Sequence, residues 1–182
     1  ADVSRETMEK LRRYVALLKK WQAVINLVGE TTLADPWRRH ILDSSQLVPL
    51  LPPQARVFVD FGSGAGFPGL VLAIMGAPEV HLIESDTRKC AFLREVARET
   101  GLRLGGAVRV HRRRIEEMEP FPADVVTARA CADLDQLLFH AEPFLQQSSI
   151  CLFLKGMQVD EELTIVKKRW KIDIERVPSV SD

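Results

Sequence analysis

The chain has 182 residues, 25 basic and 25 acidic side chains, and an apolar fraction of 46%. That is the size and composition of one globular domain with an ordinary core, not of a disordered chain, and a net charge of zero argues against a generally sticky nucleic-acid binder. The longest apolar runs, such as Leu70 to Met75, are too short to span a bilayer, and no charged-then-apolar leader opens the chain. Cys90, Cys131 and Cys151 lie apart among apolar neighbours without metal-ligand spacing. The expectation is a reduced cytoplasmic protein, a monomer, with no metal and no membrane partner.

Met8, Leu11, Val15, Leu18, Trp21 and Ile25 recur at helical spacing and predict a first helix with Arg12, Arg13, Lys19 and Lys20 largely off the apolar stripe. A second helix is expected to start at Asp35-Pro36, an N-cap followed by proline, with Trp37, Ile41 and Val48 on its apolar side. Pro52-Pro53 breaks the chain, dividing a helical extension at 1–53 from a second unit at 54–182.

From there short apolar runs alternate with helical periods. Strands are predicted at Val57–Phe61, Val80–Glu84, Val108–His111, Asp124–Ala128 and Ile150–Leu154. Helices are predicted near Pro68–Met75, Thr87–Thr100, Asp133–Leu145 and Val159–Trp170, with Gly101 as a C-terminal stop. Near-continuously apolar strands alternating with helices mean a mostly parallel sheet covered on both faces, a Rossmann-like α/β fold. Lys171–Val177 reads as one more strand; folds of this kind usually close with an antiparallel pair, so the final pair is expected to be incomplete.

The strongest motif joins the first strand to a helix: Asp60-Phe61-Gly62-Ser63-Gly64-Ala65-Gly66-Phe67-Pro68-Gly69. Glycines there let the backbone turn tightly and approach a ligand without intervening Cβ atoms. Gly64-x-Gly66-x-x-Gly69 also satisfies the dinucleotide fingerprint, with Glu84 near the expected ribose-binding position. Asp60 decides between the two: at the strand end a carboxylate faces a pyrophosphate unfavourably but suits the cationic methionine part of S-adenosylmethionine. The register Asp-x-Gly-x-Gly-x-Gly is also that of a methyltransferase.

Glu84 ends the second strand and is placed to accept two hydrogen bonds from a ribose diol, with Ser85 following and Asp86 as the N-cap of the next helix. After the third strand, Ile115 and Glu116 fall where an adenine ring would be read. The fourth strand ends in Thr127-Ala128-Arg129-Ala130-Cys131 and lacks the Asn/Asp-Pro-Pro-aromatic signature that holds an exocyclic amino group. Cys131 sits between alanines and reads as packing rather than as a thiol nucleophile. Arg129, at the strand's carboxyl end, points into the ligand crevice, or else forms a buried ion pair with Asp60, Glu84 or Asp133.

Arg39-His40-Ile41-Leu42-Asp43-Ser44, the glycine turn with Phe67-Pro68-Gly69, Arg129-Ala130 and Leu154-Lys155-Gly156 together resemble the bacterial glucose-inhibited division protein B family. The likeness runs from about Trp21 to Gly156. It departs from the family at Cys131, where Phe or Val is more usual, and in the incomplete strand pair. The resemblance implies a class I S-adenosylmethionine-dependent methyltransferase acting on a guanine N7 of small-subunit ribosomal RNA. It also implies cofactor contacts at Gly62, Phe67, Glu84 to Asp86, Ile115, Glu116 and Arg129. No general base or nucleophile is expected, because N7 carries a lone pair and no proton; Arg129 is the one catalytic candidate. Arg38, Arg39 and His40 are candidate RNA contacts, against a reading in which His40 and Asp43 hold their helix to the sheet. A methyltransferase acting on a small molecule or protein, or a non-catalytic S-adenosylmethionine-binding protein, are the alternatives.

Overall fold

The computed structural model describes residues 3–156 and 158–180, so the start of the first predicted unit, the end of the second, and Met157 within the second lie outside the described residues. The N-terminal part contains α1 (Arg5–Gln22), the short α2 (Glu30–Leu33), a π-helical turn (Trp37–Leu42) and α3 (Asp43–Ser45). The remainder alternates: β1 (Val57–Phe61), α4 (Gly69–Ile74), β2 (Glu79–Glu84), α5 (Thr87–Glu99), β3 (Val108–Arg112), β4 (Ala123–Arg129), α6 (Leu134–Ala141), β5 (Leu145–Leu154) and α7 (Val159–Arg169).

The five strands form one sheet in the order β3-β2-β1-β4-β5, and every neighbouring pair is parallel. Strand order reverses at β1, and open α/β sheets bind ligands beyond the carboxyl ends of the strands at such a switch point. Because successive side chains alternate across a strand, Phe58 of β1 faces a core built with α1, α4 and α5, while Val59 and Phe61 face a second one with Leu137 and Ala141 of α6 and with Phe144. α7 packs on α6 through Leu134, Leu138 and Val166.

The helical extension is part of the first core. Leu11, Tyr14, Val15 and Leu18 of α1 are buried with Leu70, Leu72, Phe92 and Val96. Ser4 caps α1 by accepting from the Thr7 N–H at 3.1 Å, and Asp35 accepts from the Arg38 N–H at 3.1 Å at the predicted start of the second helical segment. That segment is not a regular helix: it opens as a π turn, and its predicted apolar side divides. Ile41 is buried, Val48 lies in a following 3₁₀ turn, and Trp37 is 36% exposed on a groove of about 490 Å³ shared with Met8, Leu11, Leu42 and Met75.

The predicted strand at Lys171–Val177 is absent; residues 171–179 have no assigned secondary structure. A strand needs a neighbour to satisfy its backbone, and this tail is instead tethered by side chains. Arg176 Nη1 donates to Asp160 Oδ1 at 2.6 Å, and the Val180 N–H donates to Gln46 Oε1 at 2.9 Å. Among the described residues no helix is long and apolar enough to cross a membrane.

Candidate functional site

The turn after β1 is built by its glycines and clamped by an acid from the neighbouring strand. Gly62, Gly64 and Gly66 have φ of +58°, +56° and +92°, a region that costs a residue with Cβ about 1–2 kcal/mol. At Gly62 steric contact adds to this, since a Cβ there would strike the Cys131 Sγ. The Gly64 N–H donates to Glu84 Oε2 at 2.8 Å, and the Asp86 N–H donates to Glu84 Oε1 at 2.8 Å. Glu84 is therefore 8% exposed yet fully engaged. It ties the β1 turn to the β2 exit, and each oxygen retains a second lone pair for a ligand hydroxyl. Asp86 caps α5, accepting from the Arg88 and Lys89 N–H groups at 2.8 and 3.0 Å. Ser85 and Glu116 are exposed and Ile115 half-buried at the same edge of the sheet.

Asp60 does not stand where the sequence argument put it. Its side chain is 1% exposed and lies beneath the start of α4, where a Cβ on Gly69 would come within 2.8 Å of Asp60 Oδ2. Thr127 Oγ1 donates to Oδ1 at 2.7 Å, while Oδ2 has no hydrogen-bond partner among the described residues. Burial pushes its pKa up to about 6, against the pull of the Thr127 hydroxyl. The carboxylate supports the turn from below and does not line the crevice surface.

A ring stack leads from the turn to the N-terminal segment. Phe67, 3% exposed, is stacked on Tyr14 (centroids 5.1 Å apart) and on His40 (4.8 Å). Burial pushes the Tyr14 phenol pKa up, and the hydroxyl donates to the Ala65 carbonyl. The α1 stripe read from the sequence omitted Tyr14, although 11, 14, 15 and 18 is the same helical spacing. His40 is corrected as an RNA contact: it is 4% exposed, and burial first, then the Arg129 charge, lowers its pKa to about 4. An uncharged, enclosed imidazole cannot meet a phosphate. Arg38 and Arg39 are exposed on the same turn.

Arg129, at the end of β4, reaches across to this segment. Its Nη1 donates to the Arg39 carbonyl at 3.1 Å and to Asp43 Oδ2 at 3.4 Å, and its guanidinium lies 4.9 Å from the Phe67 ring centroid. The partner is thus none of the three acids proposed from the sequence. Directly after it, Ala130 takes φ +49°, a strained conformation for a non-glycine residue of the kind that clusters at functional sites. Lys155, which follows β5, donates to the Ala132 carbonyl and pairs with Glu162, both at 2.8 Å, and Glu162 also accepts from the Leu134 N–H. The loop after β4 is held from both sides. Burial raises the Cys131 thiol pKa, which suits packing against Gly62 and not nucleophilic attack. Among the described residues no group of three or more His, Cys, Asp or Glu side chains could hold a metal ion.

The GidB family model, described as rRNA small subunit methyltransferase G, matches residues 7–182. Ribosomal RNA small subunit methyltransferase G of Paramagnetospirillum magneticum is 61% identical over 182 residues, covering all of this chain and 87% of that protein. Its counterpart in Rhodospirillum rubrum is 57% identical, covering 99% and 88%. Among solved structures, a ribosomal protein L11 methylase from Lactobacillus delbrueckii subsp. bulgaricus superposes with a TM-score of 0.61 at 15% identity, over 75% of this chain and 72% of that one. A Thermotoga maritima S-adenosylmethionine-dependent O-methyltransferase gives 0.61 at 16% identity, over 85% and 55%. At those identities the two structures share the fold. The chain belongs to the rRNA small subunit methyltransferase G family.

Proposed function

We propose that the protein transfers a methyl group from S-adenosylmethionine to N7 of a guanine in small-subunit ribosomal RNA. The observation that carries the reading is the Glu84 clamp: one carboxylate fixes the glycine turn through Gly64 and the β2 exit through Asp86, at the switch point of the sheet. The residues present fit the cofactor. Gly62 and Gly64 offer backbone without Cβ atoms, Glu84 with Ser85 and Asp86 would take the ribose, Ile115 and Glu116 would border the adenine, and Arg129 with the backbone of Phe67 would lie on the methionine side. When bound, S-adenosylmethionine supplies a methyl group activated on a sulfonium.

The chain's own contribution is then positioning. Guanine N7 attacks with its lone pair and sheds no proton, so no side chain need act as a base, and well-oriented reactants account for about 7–11 kcal/mol of barrier lowering. The double tether on the loop after β4 and the Arg129 contacts keep that rim rigid. Calorimetry tests the cofactor assignment: S-adenosylhomocysteine binds and NADH does not. The reverse pattern would replace it with a dinucleotide enzyme. Mass mapping of rRNA nucleosides from a deletion strain tests the substrate, through loss of one 7-methylguanosine.

A further inference from the structure

A group of cations lies beside the cofactor crevice, where the site described above does not use it. β3 is an outer strand of the sheet, and the chain leaves it through Arg112, Arg113 and Arg114, all exposed. Next to it α5 carries Arg88 and Lys89 in its first turn. Arg112 Nη1 donates to Thr87 Oγ1 at 3.3 Å, and Arg94 Nη2 donates to the Val110 carbonyl at 3.4 Å. These bonds join the two segments into one surface.

The helix dipole does not favour this placement. A helix N-terminus is partly positive, so acids favour its first turn and bases its last. α7 follows that rule, with Asp160, Glu161 and Glu162 first and Lys167, Lys168 and Arg169 last, and α1 carries Glu6 beside Arg5 first and Lys19 and Lys20 last. α5 carries its acid at the N-cap, Asp86, and Arg98 in its last turn, with Arg88 and Lys89 added in the first turn. Among the described residues none of Arg88, Lys89 and Arg112 to Arg114 is in a salt bridge, whereas Arg98, Arg109, Arg129, Arg169 and Arg176 all are. Of the adjoining acids Glu84 is buried, Asp86 is occupied in capping α5, and the exposed Glu117 accepts from the Arg114 N–H at 3.4 Å. Glu116 and Glu119 follow further along the loop. On a chain of zero net charge, this is a local concentration of positive charge on one face.

The surface is also in register with the site. Arg112 is the β3 partner of Glu84 across the β2–β3 pairing, so the patch begins one strand from the carboxylate assigned to the cofactor ribose. We propose that Arg88, Lys89 and Arg112 to Arg114 bind phosphates of the RNA substrate and hold its backbone beside the crevice while the target base reaches the cofactor. This rests on the substrate being RNA. Each phosphate so neutralised releases condensed counterions, which steepens the fall of affinity with salt.

The test is binding of transcribed small-subunit rRNA across a KCl series, for the wild type, for Arg88→Glu/Arg113→Glu/Arg114→Glu and for the same three positions changed to Lys. S-adenosylhomocysteine calorimetry runs alongside. The Glu variant is expected to lose at least about tenfold in RNA affinity at low salt, with a log–log slope shallower by about 0.7–0.9 per lost contact. The Lys variant keeps the slope, and cofactor affinity stays within about twofold of wild type in both. A Glu variant with wild-type affinity and slope overturns the assignment of this surface. A wild type that binds S-adenosylhomocysteine but no RNA overturns the substrate reading itself, and this surface falls with it.

Discussion

Arg129 and Asp43 face each other at 3.4 Å, joining the end of β4 to the N-terminal helical segment across 86 positions of sequence. Their side chains are 19% and 16% exposed, so the pair is shielded but not desolvated. Removing one partner leaves the other charge under-compensated. Asp43→Ala is expected to cost about 1–3 kcal/mol in urea denaturation and to raise the KM for S-adenosylmethionine more than it lowers kcat. An unchanged KM in a destabilised protein would make the pair purely structural.

Gly62→Ala meets two penalties, the positive φ and the Cys131 Sγ. Cys131→Ala removes the Sγ and leaves only its own Cβ, at 3.1 Å. The double variant is therefore expected to recover part of the stability lost in Gly62→Ala, leaving about 1–2 kcal/mol for the backbone. Strict additivity of the two changes in a double-mutant cycle would mean the contact carries no energy. Cys131→Ala alone is expected to retain methyl transfer, and complete loss at an unchanged Tm would revive a thiol mechanism.

Glu84→Ala removes a ligand acceptor and also frees the Gly64 and Asp86 N–H groups. Cofactor affinity should fall by at least about 1.5–3 kcal/mol, the worth of a charged hydrogen bond, with a lowered Tm as well. Glu84→Gln retains one acceptor oxygen and should fall between the two. Wild-type calorimetry in folded Glu84→Ala would remove the residue from the site.

The buried groups set opposite pH dependences. Asp60, with its pKa pushed up to about 6 from 3.8, contributes stability that is full below the unfolded value and lost as pH rises through 6. His40, lowered from 6.5 to about 4, contributes stability present above 6.5 and lost as pH falls through 4. Asp60→Asn leaves only the second trend. Relative to wild type, the variant should gain about 2–3 kcal/mol between pH 4 and pH 7. A stability difference independent of pH would show that Asp60 is not ionised against its surroundings.

The central strands were legible because parallel strands buried on both faces are nearly continuous apolar runs. β1 matches its predicted span, and β2, β3 and β4 extend theirs by one or two residues. Gly101, at φ +71°, ends α5 as read, with the Leu102 N–H returning to the Ala97 carbonyl at 2.8 Å. β5 runs five residues further back than predicted, to Leu145, because Gln146, Gln147, Ser148 and Ser149 carry no apolar signal on an exposed edge. The glycine turn and Glu84 were visible as a motif, but not that the acid clamps the turn. The Arg129 partner was hidden by its distance along the chain, whereas a packed His40 was one of the two readings open in the sequence, though it packs by stacking on Phe67. Alternating apolar residues after Trp170 mimicked a strand, yet the tail pairs with no neighbouring strand.

The central claim is tested most directly by incubating the purified protein with methyl-labelled S-adenosylmethionine and small ribosomal subunits or their rRNA, then digesting to nucleosides for mass spectrometry. The account predicts label in 7-methylguanosine at a single position, retained in Cys131→Ala and reduced in Glu84→Ala. Label in any other nucleoside, or no transfer from a protein that binds S-adenosylhomocysteine, would contradict it.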